Sequence, residues 1–253
     1  MYLTRWKRCA IVPRVPEVSR NAFVTLVTLV YRDPSWLQFV MDSVAAAKTA
    51  VCYRWLVVAN DATEEVRRDP RINVDFHNDN PTEFYINRVY RAWNEGVLNA
   101  PTQLVVMLND DMWVSDDWLD ELVALKRQAP KSLPTSLLVE SGRLPSGMPE
   151  HVRDFGRTPA TFQRDAFTAR AESIRKYGKT EPGRLYMPIL VDRQEFADVG
   201  GYPEGNPPGT TGDKDLVRRY TEAGFKHVTA LGSVVYHVQL GEQRETRIWC
   251  AAT

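Results

Sequence analysis

The sequence has no excess of charge of either sign and is poor in cysteine. Lysine and arginine together number 32, as do aspartate and glutamate, so the formal net charge is zero. The chain therefore lacks the positive field that a nucleic acid or an anionic membrane would attract, and we expect no nucleic-acid partner. Its three cysteines, Cys9, Cys52 and Cys250, form no CxxC pair. Such a sparse, odd set is typical of a reducing compartment and not of a disulfide framework.

Long hydrophobic runs are also missing. The longest stretches in which apolar residues predominate have about ten residues, whereas a helix that crosses a bilayer needs roughly 20. Residues 1–20 contain basic side chains but lack the apolar core of about seven residues that a secretory signal requires. We therefore expect no transmembrane segment and a cytoplasmic location, either free or peripheral to a membrane.

Three common signatures of α/β proteins are absent. No GxGxxG follows the first predicted strand, no GxxxxGK[ST] occurs, and no GxSxG occurs. These absences argue against a dinucleotide-binding domain, a P-loop NTPase and a hydrolase with a nucleophile elbow.

The first half of the chain alternates strand-like and helix-like segments. Apolar, β-branched runs predict strands, and apolar residues at helical spacing predict helices. The predicted strands are 23–30, 53–58, 72–76 and 104–108, and the predicted helices are 35–47, 82–98 and 115–128. Repeated strand–helix units favour an α/β fold with a mixed, mostly parallel central sheet and helices on both faces. We expect a single domain over residues 1–253.

Residues 129–184 break this alternation. They contain many prolines and glycines and one amphipathic basic stretch, 162–177. We interpret them as a mobile or partner-facing segment outside the central sheet. A helix packed on the sheet is the alternative.

Acidic residues mark two places along the chain, and a histidine marks a third. Asp110 and Asp111 directly follow a predicted buried strand, where open α/β sheets bind ligands. Ionised carboxylates suit hard divalent cations, although an acid pair can also cap the next helix. Asp213 begins a predicted helix and is a candidate general base. His237 ends the last apolar run and, taken alone, has the pattern of a hydrogen-bonded core histidine.

Eight segments in this order resemble the family 2 glycosyltransferases, which have the GT-A fold. The segments are 27–32, 57–63, 94–96, 108–111, 200–202, 212–216, 224–225 and 236–237. Three residues depart from the family pattern. Asn60 and Asn109 stand where the family has an acid, the latter in the DxD position, and Gly212 replaces a glutamate.

The resemblance implies a metal-dependent, inverting transfer of a sugar from a nucleotide diphosphate, with a UDP-sugar favoured, to a hydroxyl acceptor on a glycan, glycolipid or protein. It implies Asp213 as the catalytic base and Asp111 and His237 as ligands of Mn²⁺ or Mg²⁺. It also implies a set of nucleotide-sugar-binding residues: Thr28, Tyr31, Arg32, Asn60, Asp61, Asn94, Asn109 and Asp110. Residues 1–128 would form the nucleotide-sugar half, 129–184 a variable insertion or lid, and 185–253 the acceptor-binding and catalytic half.

Two other functions remain open from the sequence. A GT-A-like module could bind a nucleotide sugar without turnover, and the departures at Asn109 and Gly212 would permit this. A sugar nucleotidyltransferase would need a glycine-rich loop with a lysine after the first strand, and Arg32-Asp33-Pro34 does not supply one.

Overall fold

The computed structural model describes residues 23–77, 83, 85–204 and 212–242. Two short 3₁₀ turns, Pro149–His151 and Pro159–Thr161, precede the helix Arg164–Ile174. The strands and α-helices of the described ranges are, in chain order, β1 (Phe23–Val30), α1 (Pro34–Ala46), β2 (Cys52–Asn60), α2 (Glu64–Arg67), β3 (Val74–Phe76), α3 (Tyr85–Leu98), β4 (Leu104–Met107), β5 (Met112–Val114), α4 (Trp118–Gln128), β6 (Ser132–Glu140), α5 (Arg164–Ile174), β7 (Thr180–Pro182), β8 (Ile189–Asp192), α6 (Arg193–Asp198), α7 (Gly212–Glu222) and β9 (Lys226–His237).

The strands form one mixed sheet in the order β3-β2-β1-β4-β8-β6-β9-β5, with β7 also paired to β9. Strands β3, β2, β1 and β4 are parallel to one another, and β6 is parallel to β9. β8 runs antiparallel to β4 and β6, and β5 and β7 run antiparallel to β9. The predicted α/β fold with a mixed central sheet is therefore confirmed.

Strand β1 is buried because two helices pack against it. Helices α1 and α3 both contact β1, and the apolar side chains of Val24 and Val27 are fully buried. Helix α1 begins after Asp33, whose side chain accepts a hydrogen bond from Ser35 N at 2.9 Å. In α3, a Cβ at Gly96 would lie 2.5 Å from Val27 Cγ1, so glycine is needed for the close approach of this helix to β1. The start predicted for α3 at Thr82 lies outside the described residues.

The prediction that residues 129–184 lie outside the central sheet is wrong. Strand β6 lies inside the sheet between β8 and β9, and all nine of its residues are buried. Its sequence, SLPTSLLVE, hides the strand pattern because proline and hydroxyl residues interrupt the apolar run. Two of its hydroxyls have partners inside the protein, since Ser136 Oγ lies 2.8 Å from Ser233 Oγ in β9 and Thr135 Oγ1 donates to Val228 O at 3.3 Å. Such pairing over long sequence distances leaves no local signal.

Among the described residues, no helix has the length and apolar character required to cross a membrane.

Candidate active site

The polar residues predicted from the resemblance gather at one edge of the sheet. Strands β1, β2 and β4 are parallel, so their carboxyl ends meet at the same edge. Three of the predicted positions follow directly: Tyr31 after β1, Asn60 at the end of β2, and Asn109 after β4. The carboxyl edge of an open α/β sheet is the usual ligand-binding edge.

Asp111 and His237 face each other across an antiparallel strand pair. Met112 in β5 is the pairing partner of His237 in β9, and Val238 N donates to Asp111 O at 3.0 Å. This register brings His237 Nε2 to 3.4 Å from Asp111 Oδ2. The structure thus places together the two side chains predicted as metal ligands, although they are 126 positions apart in the sequence (237 − 111).

A third charged group, Glu140, completes this cluster and was missed in the sequence. Its Oε1 accepts a hydrogen bond from His237 Nδ1 at 3.3 Å. Burial alone would lower the pKa of His237, but the carboxylates of Asp111 and Glu140 outweigh it and raise that pKa to about 10. A usable signal exists, because Glu140 ends the apolar run Leu137-Leu138-Val139 just as Asp110 follows a buried strand.

Asp110 faces a different partner, Glu242, which sequence reasoning also missed. Glu242 is carried there by a turn in which Gln239 and Leu240 have positive φ values of 63° and 67°. Its carboxylate accepts hydrogen bonds from the backbone N–H groups of Tyr31 and Arg32. Burial and the nearby charge of Glu242 raise the pKa of Asp110 well above its ordinary value. Asp110 and Asp111 are therefore adjacent in sequence but belong to two different carboxylate contacts.

Arg32 and Tyr31 also contact each other at the end of β1. Arg32 Nη2 donates to Tyr31 Oη at 2.6 Å, and the guanidinium carbon lies 4.4 Å from the centre of the tyrosine ring. A cation over an aromatic face is an attractive arrangement, and here it holds the arginine at the carboxyl edge.

Asn60 and Asp61 close the far side of this edge. Asn60 is 5% exposed, and its Oδ1 has no hydrogen-bond partner among the described residues. Asp61 has a positive φ of 49° and forms an ion pair with Arg88 Nε at 2.8 Å. A buried carbonyl oxygen without a donor is uncommon in folded proteins, which makes Asn60 a candidate ligand-binding position.

Two predicted nucleotide-sugar residues support the site from inside the protein. Thr28 is fully buried, and its hydroxyl donates to Leu108 O at 2.8 Å, which fixes the loop after β4 to β1. Asn94 Oδ1 accepts from Tyr202 N at 2.8 Å, and Asn94 Nδ2 donates to Tyr202 O at 3.0 Å. This pair of hydrogen bonds fastens the turn 200–202 to α3.

Asp213, the predicted base, lies in the first turn of α7 and is held by Tyr202 from the turn 200–202. Tyr202 Oη donates to Asp213 Oδ1 at 2.9 Å, and the Tyr202 ring stacks on Tyr90 with ring centres 5.1 Å apart. Tyr90 Oη in turn accepts from Gly212 N at 2.7 Å. Burial raises the pKa of Asp213, while the hydrogen bond from Tyr202 and the charge of His237 oppose the shift. Asp213 is therefore close enough to His237 for their charges to interact.

Replacing Gly201 with alanine should destabilise the protein more than replacing Gly178. Both glycines have left-handed φ values, +58° and +62°, so both variants carry the same backbone cost of about 1–2 kcal/mol. A Cβ at Gly201 would also lie 2.6 Å from Asn94 Oδ1, whereas one at Gly178 meets nothing within 4 Å. We expect an additional loss of about 1–3 kcal/mol in unfolding free energy at Gly201, measured by urea denaturation. Equal losses of unfolding free energy in the two variants would show that Asn94 moves away from the added methyl group without destabilising the protein.

The chemistry of the Asp111–His237 pair fits a divalent cation. One carboxylate oxygen and one imidazole nitrogen, 3.4 Å apart, are close enough to be neighbouring ligands of one ion. Within the described ranges, no group of three or more histidine, cysteine or acidic side chains is placed to enclose a metal. Two protein ligands suffice where substrate phosphates and water complete the coordination shell, as is usual for Mg²⁺.

The helix-flanked mixed sheet, with polar residues at its carboxyl edge, places the protein in the α/β class. Comparison with solved structures identifies the particular fold as GT-A. GalNAc-T7 in complex with UDP, GalNAc and Mn²⁺ matches with a TM-score of 0.60 and 15% identity, covering 85% of this chain and 43% of the matched one. S. aureus TarS 1–349 matches with a TM-score of 0.56 and 11% identity, covering 85% of this chain and 60% of the matched one.

The chain thus spans less than two thirds of the length of either matched structure. No protein-family model and no curated protein sequence matches the chain. At these identities the likeness shows the GT-A fold, and the activity has to be argued from the site.

Proposed function

We propose that the protein is a glycosyltransferase that moves a sugar from a nucleotide diphosphate to a hydroxyl acceptor, with inversion at the anomeric carbon. The observation that carries the proposal is the convergence of Asp111, His237 and Asp213 at the carboxyl edge of a GT-A sheet. The two acids would have different tasks, because Asp111 faces an imidazole and Asp213 faces a phenol.

Asp111 Oδ2 and His237 Nε2 are the proposed ligands of Mn²⁺ or Mg²⁺. When bound, the cation would act as a Lewis acid that stabilises negative charge on the departing diphosphate. GalNAc-T7, a structural neighbour, was crystallised with UDP and Mn²⁺, which supports a divalent cation and a uridine nucleotide at this edge of the fold.

Asp213 is the proposed general base. Its carboxylate takes the proton of the acceptor hydroxyl while that oxygen forms a bond to the anomeric carbon. The bond between that carbon and the diphosphate oxygen breaks on the opposite face, and the nucleoside diphosphate leaves. Burial raises the pKa of Asp213, which strengthens it as a proton acceptor, because a base works best when its pKa lies near the working pH. The hydrogen bond from Tyr202 orients one oxygen and leaves the other for the acceptor.

Uracil is the proposed donor base. Within the described ranges, Asn60 Oδ1 at the end of β2 has no hydrogen-bond partner, and the N3–H of uracil is a donor of the matching kind. Asn60 and Asp61 occupy the segment that the sequence resemblance assigns to the nucleotide. Arg32 is a proposed partner of the diphosphate, since it is held at the same edge by Tyr31.

A nucleotide-release assay tests the proposal. Purified protein would be incubated with Mn²⁺ and a panel of UDP-, GDP- and dTDP-sugars, with EDTA as the control. We expect slow hydrolysis of one UDP-sugar that stops with EDTA, because water can replace the missing acceptor. Binding of UDP without turnover of any donor would favour the non-catalytic GT-A-like module. Turnover of a sugar phosphate with a nucleoside triphosphate would favour a nucleotidyltransferase.

A further inference from the structure

Glu140 is placed by the sheet itself to act on His237. Strands β6 and β9 are parallel, and Glu140 is the pairing partner of His237 in their register. The two side chains therefore leave neighbouring strands at the same level, and Glu140 Oε1 lies 3.3 Å from His237 Nδ1. Glu140 is only 5% exposed, and a buried carboxylate is costly unless it has a specific partner.

A second buried side chain fixes the orientation of the Glu140 carboxylate. Gln239 Nε2 donates to the same Oε1 at 3.1 Å. The amide of Gln239 is itself locked, because its Oε1 accepts from the backbone N–H groups of Arg143 at 2.8 Å and Leu144 at 3.1 Å. Gln239 thus couples the loop after β6 to the turn after β9, and together with His237 it holds Oε1 of Glu140.

The hydrogen bond to Glu140 decides which imidazole nitrogen can bind a cation. When Nδ1 carries a proton and donates it to a carboxylate, the lone pair of a neutral imidazole lies on Nε2. Nε2 is the atom that faces Asp111. Carboxylates that hold a metal-binding histidine in this way fix its tautomer and ring orientation, and their loss typically weakens metal affinity about 10–100-fold.

We propose that Glu140 is a positioning residue for the cation that binds the donor diphosphate. Glu140 holds His237 so that Nε2 points at the ion shared with Asp111. This inference rests on the proposed function. A purely structural Glu140 would instead serve only to join β6 to β9, and its loss would change stability without changing the tautomer of His237.

Two variants of Glu140 test this role by binding of Mn²⁺ alone. Glu140→Gln keeps the volume and removes the charge, and Glu140→Ala removes the acceptor altogether. Mn²⁺ affinity is measured from the loss of the free-ion signal in electron paramagnetic resonance, and folding is checked by circular dichroism. We expect about tenfold weaker binding for the first variant and about a hundredfold for the second. Unchanged affinity in both folded variants would overturn the inference.

Glu195→Gln is the matched control. Glu195 is also a partly buried carboxylate in a charged pair, with Lys126 Nζ at 2.6 Å, but neither residue lies among the contacts of His237 or Asp111. This variant should lose stability and keep the Mn²⁺ affinity of the parent.

Asp111→Ala separates the two proposals. If the parent binds no Mn²⁺, or Asp111→Ala binds it as well as the parent, the proposed metal site itself fails. If Asp111→Ala loses Mn²⁺ affinity while both Glu140 variants keep the affinity of the parent, the positioning role fails and the proposed metal site stands.

The tautomer of His237 gives a readout that a structural role would not move. The chain has four histidines, and a His237→Gln variant assigns the relevant imidazole ¹⁵N signals. At a Mg²⁺ concentration that saturates the parent and leaves Glu140→Ala largely free of the ion, we expect the proton on Nδ1 in the parent and a mixture of both tautomers in the variant. A proton on Nε2 in the parent, or the same single tautomer in the variant, would contradict the positioning role.

Discussion

Replacing Asp111 with alanine is expected to lower metal-dependent donor turnover by at least about a hundredfold. Lewis-acid stabilisation of a leaving group contributes several kcal/mol, and each 1.4 kcal/mol corresponds to about a factor of ten in rate. Among the described residues, Asp111 is the carboxylate that contacts His237 Nε2, at 3.4 Å. Its removal therefore leaves His237 as the single proposed protein ligand of the cation. The measurement is the initial rate of nucleotide release with Mn²⁺, together with Mn²⁺ affinity in the absence of donor.

Asp110→Asn is the informative comparison for this variant. Asp110 is adjacent in the chain, yet it contacts Glu242 and not His237. We therefore expect Mn²⁺ affinity to fall much less than in Asp111→Ala. Asp75→Asn is the control for a general effect of charge. Asp75 lies on the edge strand β3 and pairs with Arg67, so this variant should leave turnover unchanged. If Asp110→Asn lost Mn²⁺ binding and Asp111→Ala kept it, the assignment of the two acids would have to be reversed.

The parts of the fold that could be predicted are those with a local signal. Strands β1 and β4 are continuous apolar runs because both faces are buried, and their limits match the sequence pattern closely. The acids after β4 were found for the same reason, since a polar pair that ends a buried strand is visible without any tertiary information. Parallel pairing of these strands then places their polar ends together.

The parts that could not be predicted depend on contacts between distant segments. Strand β6 carries Pro134 and several hydroxyl residues, and only the partners in β9 and β8 explain why it is buried. Glu140 does end an apolar run, but only the facing strand shows that its partner is His237, and the role of Glu242 follows from the strained turn that carries it. Thr28 and Asn94 were predicted to contact the nucleotide-sugar donor. The structure shows why the sequence cannot distinguish contact with that ligand from support of the site. Thr28 bonds to backbone 80 residues away, and Asn94 bonds to backbone 108 residues away.

Replacing Asp213 with asparagine is expected to slow sugar transfer by about 10²–10⁴-fold, the usual contribution of a positioned general base. The amide keeps the volume of the carboxylate and can still accept the hydrogen bond from Tyr202, so the fold and donor binding should persist. The loss should appear in kcat, because deprotonation of the acceptor belongs to the transition state and not to the bound ground state. The measurement is the transfer rate to an acceptor at saturating donor, with donor affinity determined separately.

Asp215→Asn is the matched control for this prediction, because Asp215 lies two residues further along the first turn of α7 and forms an ion pair with Arg218 at 3.5 Å. Two residues along a helix point in different directions, so this variant loses the same charge from the same helix end without touching Tyr202. A similar rate loss in both variants would assign the effect to the charge at the helix terminus. A loss confined to Asp213→Asn, with unchanged donor affinity, identifies the one carboxylate that takes the proton. Turnover at the parental rate in Asp213→Asn would remove the base from the mechanism.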